Sequence, residues 1–380
     1  MKNKSSLLKK DGFLTFTTSV LCVILGLIVG FLALLIINAE GAFDAILGVL
    51  KNFLKYNNDK LKIKYLAGTL TKTAPLIMCS LSVLFAYKVG LFNIGVAGQY
   101  VLGGGAAIYC GYVLSLPWYV CLIIGILVGA LSGAICGVLR SYCNVNVVIS
   151  GIMLNWITLY LINMLLQKAK NTTGKDTYPL MSTRPDAVLP NLGLNEVFGY
   201  KYIGLALPLA IIMAVIVWIV LDKTKLGFEL KATGNNLNAA KYCGMKENRN
   251  IILTMFLAGG LASMGGAMFY LTDVEQWNVN ASSVPGMGFN GIAAAFLGGL
   301  NPIGAIFSSY FITHITEGGG NVDLNHYCAQ VADFISAVII YLCGFVLFFK
   351  TFILKRVKKA EEKKEKALAA KQNTEGGNAQ

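Results

Sequence analysis

The sequence predicts an all-α polytopic membrane protein with about ten transmembrane segments, in two repeated halves with broken helices near a central pathway. Three observations predict it. Hydrophobic residues make up 56% of the chain and charged residues only 13%, with mean hydropathy +0.63. A soluble domain carries about 25% charge. Several apolar runs approach or exceed the roughly 18–20 residues that cross a bilayer as a helix. Two runs rich in glycine and amides, Gly90–Gln99 and Gly286–Gly304, interrupt the apolar pattern at comparable places in two stretches, Tyr65–Gln167 and Ile251–Phe352. Such a pairing points to an internal repeat whose broken elements flank a pathway.

The elements follow in order. Lys2, Lys4, Lys9 and Lys10 precede the first apolar run, Phe13–Ile37, and hold the N-terminus in the cytoplasm. That run is too long for a signal-peptide core and lacks a clear cleavage site, so it reads as a retained helix. Gly41–Tyr56 carries an apolar stripe at Phe43, Ile46, Leu47, Leu50 and Leu54 but is too short to span, which predicts an amphipathic segment on the outer face. Lys51, Lys55, Lys60, Lys62 and Lys64 lie around it, against the positive-inside rule for an outer loop. Residues 1–64 form this N-terminal region, 65–354 the membrane core, and 355–380 a charged tail with a disordered end.

The core opens with a helix over Tyr65–Lys88, with Pro75 inside, and passes through Gly90–Gln99. Exposed backbone at membrane depth is tolerated only beside protein or a water-filled cavity, which makes this run more than a turn. Helices over Ile94–Leu114 and Pro117–Leu139 follow, the second ending at Arg140 in the cytoplasm. Gly125, Gly129, Gly133 and Gly137 form an i, i+4 ridge that predicts close helix contact. The next helix begins in Asn146–Asn155, where Asn155 and Trp156 fall mid-membrane; an amide there more often bonds a neighbouring helix than a solute. Gln167–Lys201, with Pro179, Pro185 and Pro190, is the longest outer connection and reads as a solvated loop or a rigid docking surface. A helix over Tyr202–Leu221 returns the chain to the cytoplasm.

Asp222–Asn250 is the largest polar interval. Asn235 or Asn236 can cap a short helix through Leu237, Ala239, Ala240 and Tyr242, with Gly244 just past its end. A helix over Ile251–Leu271, an outer stretch Asp273–Pro285, a short or broken helix before Asn301-Pro302, and helices over Ile303–Ile315 and Val331–Phe352 complete the count. Both termini are placed in the cytoplasm.

Four of these stretches carry a resemblance. Leu226–Gly244 is similar to the cytoplasmic loop of ABC-importer permeases of the simple-sugar, branched-chain amino acid and nucleoside type, whose short coupling helix sits in a groove of a separate ATPase subunit. Gly90–Gln99 resembles the G-L-F-N-I-G-x-E-G-Q signature of the nucleoside-type branch, and Asn146–Asn155 its N-E-V-I-x-x-I-M-L-N. Gly288–Gly304 resembles its G-F-D-G-I-A-x-A-L-L-G-x-x-N-P-x-G. Ala97, Val147 and Asn290 stand where that branch has acidic residues, which reads as joint loss of a charge network. The resemblance covers roughly Leu66–Lys350. It implies coupling to ATPase subunits through Gly227, Gly234, Asn235, Asn238, Ala239, Ala240 and Gly244, and a pathway lined by Phe92, Asn93, Gln99, Asn155, Trp156, Phe289 and Asn290. It further implies a second, identical or related permease, an external substrate-binding lipoprotein, and a nucleoside or simple sugar as solute.

The sequence also excludes. No G-x-x-x-x-G-K-[ST] occurs, so ATP and magnesium belong on a partner chain and no cofactor is expected on this one. No carboxylate falls at the centre of a span, unlike carriers driven by protons or sodium. An ATPase-independent carrier is the second reading, and a membrane scaffold docking a soluble partner the third. The nine cysteines are scattered singly, and His314 and His326 are isolated, so neither a metal site nor a catalytic constellation is expected. The net charge of +13 lies at segment ends and tails, without a basic groove bearing aromatics, which argues against nucleic acid.

Overall fold

A computed structural model describes residues 11–169, 176–322, 327 and, with gaps, 334–356. Helices dominate. Among the described residues no strand occurs, only an isolated antiparallel bridge between Thr177 and Asn278. In chain order the helices are α1 (Asp11–Ile37), α2 (Ala42–Lys51), α3 (Asp59–Lys88), α4 (Val96–Tyr112), α5 (Trp118–Cys143), α6 (Val147–Lys168), α7 (Leu180–Thr183) and α8 (Leu194–Phe198). They continue with α9 (Ala206–Lys223), α10 (Lys225–Asn235), α11 (Leu237–Tyr242), α12 (Glu247–Leu271), α13 (Met287–Leu297) and α14 (Pro302–Gly319).

Among the described residues six helices are long and apolar enough to cross a membrane: α1, α3, α5, α6, α9 and α12. The remaining expected segments are shorter or more polar. α4 has 17 residues and α13 has 11, while α14 carries Ser308, Ser309, Thr313, His314 and Glu317. Of the helix expected over Val331–Phe352, the described residues 334–335, 337–338, 341–342 and 348–352 are helical, and the rest is a turn at 344–345 or lies outside the described residues. The N-terminal lysines and the tail beyond 356 also lie outside them.

The middle of the bundle is α3, α4 and α12, whose facing sides are almost wholly buried. The glycine ridge of α5 packs as its spacing predicts. A Cβ at Gly129 would come within 2.1 Å of Ser263 Cβ, and one at Gly133 within 2.1 Å of the Met255 carbonyl oxygen. The backbones touch at Gly133, the small Ser263 side chain fits against Gly129, and dispersion along the seam is joined by a hydrogen bond from Ser263 Oγ to the Ile126 carbonyl at 3.3 Å.

Three local expectations are corrected. α3 begins at Asp59, not Tyr65, because Asn58 caps it by accepting the Lys60 N–H at 2.9 Å. Lys60, Lys62 and Lys64 thus lie in its first turns, where Lys62 pairs with Asp59 at 2.9 Å. In α2 the buried stripe is Ala42, Ala45, Ile46 and Val49, while Phe43, Leu50 and, in the turn just past the helix, Leu54 point outward. Small residues let α2 approach α14 closely, a Cβ at Gly318 meeting the Val49 carbonyl oxygen at 2.1 Å. Much of the described part of the connection expected as a solvated loop is packed. Tyr178, Leu180, Ala187 and Leu189 are buried, and the Leu189 N–H donates to the Leu271 carbonyl at 3.0 Å.

Asp273 pins this outer segment. It takes a left-handed backbone (φ +56°) just past α12 and accepts the N–H groups of Leu180 at 3.3 Å and Met181 at 3.1 Å. Burial pushes its carboxyl above the ordinary carboxylate value, opposed by those two N–H groups and by Lys201.

Candidate functional site

The first site is a clasp of amides around the Gly90–Gln99 run. Chain leaving α3 turns at Gly90 (φ +75°) and re-enters as α4. Asn93 Nδ2 donates to Gln99 Oε1 at 2.9 Å and to Ser82 Oγ at 3.1 Å, and Gln99 Nε2 donates back to Asn93 Oδ1 at 3.4 Å. From α6, Asn155 Oδ1 accepts the Gly98 N–H at 2.7 Å, and Asn155 Nδ2 donates to the Ile94 carbonyl at 3.1 Å. The first turn of a helix leaves N–H groups without intrahelical partners, and Asn155 meets one of α4's. Gly95 and Gly151 lie close enough for this because neither carries a Cβ.

The predicted pathway residues therefore separate. Asn93, Gln99 and Asn155 are buried and hydrogen-bonded to one another's neighbourhood. Trp156 and Phe289 are exposed, 44% and 43%, and Phe92 and Asn290 half-buried. Phe92 packs with Tyr87 and Phe296, at ring separations of 6.5 and 6.3 Å. Trp156 instead stacks on Tyr160 along α6. Ala97 is fully buried against Gly288, whose Cβ position would fall 2.5 Å from the Ala97 Cα. Val147 sits elsewhere, in an apolar cluster with Ala86, Cys136, Met255 and Ala258. The structure brings Ala97 to the helix that carries Asn290, and places Val147 in a separate packing unit. Sequence reasoning missed Ser82, although a serine on the apolar run of α3 was a readable signal.

The second site is the polar pair α10 and α11. Thr224 caps α10 by accepting the Gly227 N–H at 3.2 Å, and Asn236 caps α11 by accepting the Ala239 N–H at 3.0 Å. Gly244 takes φ +79° two residues past Tyr242, as a C-terminal glycine should. Ala240 is buried beneath α11, whereas Asn235, Asn238, Ala239 and Gly244 are exposed. Three large side chains stand out from this pair: Tyr242 at 93% exposure, Phe228 at 65% and Leu237 at 46%. Gly227 and Gly234 face the chain itself. A Cβ on Gly227 would meet the Val220 carbonyl oxygen at 2.1 Å, and one on Gly234 the Val89 carbonyl carbon at 2.3 Å. Asn250 Nδ2 donates to Thr233 Oγ1 at 2.8 Å and ties the pair to α12. The end of α10 thus rests on the residue that opens the amide clasp.

A pair of short polar helices, seated on a re-entrant run inside an apolar bundle, fits the membrane part of a transport system. The chain belongs to the branched-chain amino acid transport system / permease component family, whose model matches residues 65–344. It is a membrane permease and not an enzyme. Its relatives include the guanosine ABC transporter permease protein NupP of Bacillus subtilis, 34% identical over 288 residues, covering 73% of this chain and 80% of that protein. The nucleoside ABC transporter permease protein NupB of Lactococcus lactis is 31% identical over 370 residues, covering 93% and 99%. The glucose ABC transporter permease protein TsgB13 of Haloferax volcanii is 30% identical over 355 residues, covering 90% of each. No solved structure matches the chain.

Proposed function

We propose that this permease is the transmembrane subunit of an ABC importer that brings nucleosides into the cytoplasm, with ATP and magnesium held by separate ATPase subunits. The observation that carries this reading is the α10–α11 pair: Tyr242, Phe228 and Leu237 are too apolar to face water together unless a partner covers them. Asn235, Asn238, Ala239 and Gly244 lie beside them on the surface. Gly227, Gly234 and Ala240 hold the pair against the membrane bundle. The nucleoside assignment, rather than a simple sugar, draws on the likeness to the nucleoside and guanosine permeases and on the Gly90–Gln99 run.

In this reading the importer contains a second permease, identical or related, and receives solute from an external binding lipoprotein. About ten membrane segments in two repeated halves, with both termini in the cytoplasm, would flank a central pathway. Closure of the ATPases displaces α10, and the backbone contact of Gly234 on Val89 passes the movement to the amide clasp. Phe92, Trp156, Phe289 and Asn290 then present rings and an amide to a neutral solute, while Asn93, Gln99 and Asn155 hold the clasp that positions them. No covalent step is needed from this chain.

The test is uptake of labelled nucleosides and pentoses by cells carrying the chain with its ATPase, compared with a Gly234→Asp, Ala240→Asp double variant. Uptake lost in the variant while the protein stays in the membrane supports ATP coupling through this loop. Uptake that survives the variant, or survives ATP depletion, refutes it in favour of a facilitator.

A further inference from the structure

The chain between α12 and α13 is irregular, and the packing fixes how deep it lies. Near its start, Trp277 Nε1 donates to Asn163 Oδ1 at 3.0 Å and Asn163 Nδ2 donates to the Ala281 carbonyl at 2.9 Å. Asn163 precedes the outer end of α6 by five residues, so Ala281 lies about 8 Å below that end at 1.5 Å per residue. Near its finish, Gly288 abuts Ala97, which precedes the outer end of α4 by 15 residues, or about 22 Å. Gly291 abuts Cys79, nine residues above the cytoplasmic end of α3, or about 13 Å. Residues 281–286 therefore descend through the outer half of the bilayer, and α13 begins near its middle.

Non-helical backbone at that depth survives only against protein or water, since lipid cannot satisfy its N–H and C=O groups. Among the described residues nothing of this chain covers it. Ser282, Ser283 and Gly286 are exposed, as is Phe289 on the first turn of α13. Among the described residues neither serine hydroxyl has a hydrogen-bond partner. The Ala281 N–H bonds back to the Asn278 carbonyl and the Gly286 carbonyl accepts the Asn290 N–H, which leaves the Ser282–Pro285 backbone without bonds to the rest of the described chain. Two hydroxyls, open amides, an aromatic face and the half-buried Asn290 amide thus form one continuous polar strip where lipid is excluded on energetic grounds.

We propose that residues 281–290 line the outer half of the solute pathway. Ser282, Ser283 and Asn290 hydrogen-bond the hydroxyls of a neutral ribose-like moiety, and Phe289 packs against the planar base. This rests on the nucleoside-importer reading for the solute, but the water-facing placement rests on depth and exposure alone.

The experiment uses Ser282→Cys and Ser283→Cys in the complete transporter in intact cells, with Ile212→Cys on the exposed flank of α9 as a lipid-facing control. A membrane-impermeant thiosulfonate is added outside, with and without nucleosides or pentoses. Among the described residues the exposed native cysteines are Cys143 and Cys243, on the cytoplasmic side in this reading, and the background carries Cys328→Ser and Cys343→Ser because those two lie outside the described residues. We expect both serine-site thiols to react about tenfold faster than the control, because thiolate forms only where water reaches it. A transported solute should slow them severalfold. Reaction no faster than Ile212→Cys overturns the proposal and places the strip against lipid or the second permease. Fast reaction that no transported solute slows overturns solute contact. Protection by a pentose but by no nucleoside supports the site and removes the nucleoside reading, so the two fail separately.

Discussion

Replacing Asn155 by alanine removes an acceptor for the Gly98 N–H and a donor to the Ile94 carbonyl, both inside the bundle. Side-chain hydrogen bonds within membranes are worth about 0.6–1.7 kcal/mol each, so the two together give about 1–3 kcal/mol. The Gly98 N–H has no substitute, since it sits in the first turn of α4. Asn155→Asp keeps the acceptor and loses the donor, and a buried charge adds its own penalty, so it should be no milder than alanine. The measurement is thermal unfolding of detergent-solubilised protein, paired with uptake in cells. Asn155→Ala should lower stability by that amount, and uptake should fall through loss of folded permease. Unchanged stability with abolished uptake would refute the reasoning, because it would mean that Asn155 meets the solute and not the clasp.

Further predictions follow the same contacts. Gly234→Ala places a methyl 2.3 Å from the Val89 carbonyl carbon, so α10 must lift from the bundle; ATPase activity should persist in the assembled transporter while uptake falls. Tyr242→Ala leaves this chain's own packing untouched and should weaken co-purification of the ATPase without lowering thermal stability. Gly129→Val forces apart the backbones of α5 and α12 and should cost about 3 kcal/mol, seen as loss of folded protein after solubilisation. Asp273→Ala orphans two N–H groups at a local cost of about 1–3 kcal/mol each, seen as faster proteolysis near Leu180–Thr183. Because burial raises the Asp273 carboxyl in the folded state, its ionisation costs stability: the contribution of the protonated carboxyl is fully present below the ordinary carboxylate value and is lost as pH rises through the raised one. The native outer segment should therefore resist an acid-active protease at least as well at low pH as it resists a neutral one near pH 7.

Much of this was legible in the residues, for identifiable reasons. Asn236 and Gly244 were readable because capping and left-handed termination need particular side chains at particular offsets. The ridge from Gly125 to Gly137 was readable because only glycine permits backbone contact at every turn. Direction was harder. In α2 the stripe Phe43, Leu50 and Leu54 has the spacing of a buried face, yet lipid also accepts apolar side chains, so the smaller residues won the protein-facing side. An amide has the same letter whether it bonds a solute or a neighbouring helix, which is why Asn93, Gln99 and Asn155 did not announce their partners. Ser282–Gly286 reads as an ordinary turn, and only its depth gives it meaning.

The seam between α5 and α12 has a mechanical consequence. α12 holds 25 residues, about 37 Å of axis, with the end of α11 five residues before its start and Asp273 two residues past its end. Where backbone bears on backbone there are no rotamers to yield, so the pair behaves as a rod, not a spring. A displacement applied among Leu237–Tyr242 would arrive at the Asp273 latch with little elastic loss, and the same stroke would pull on Trp277 and the strip below it. The two ends of α12 would then move together rather than in turn.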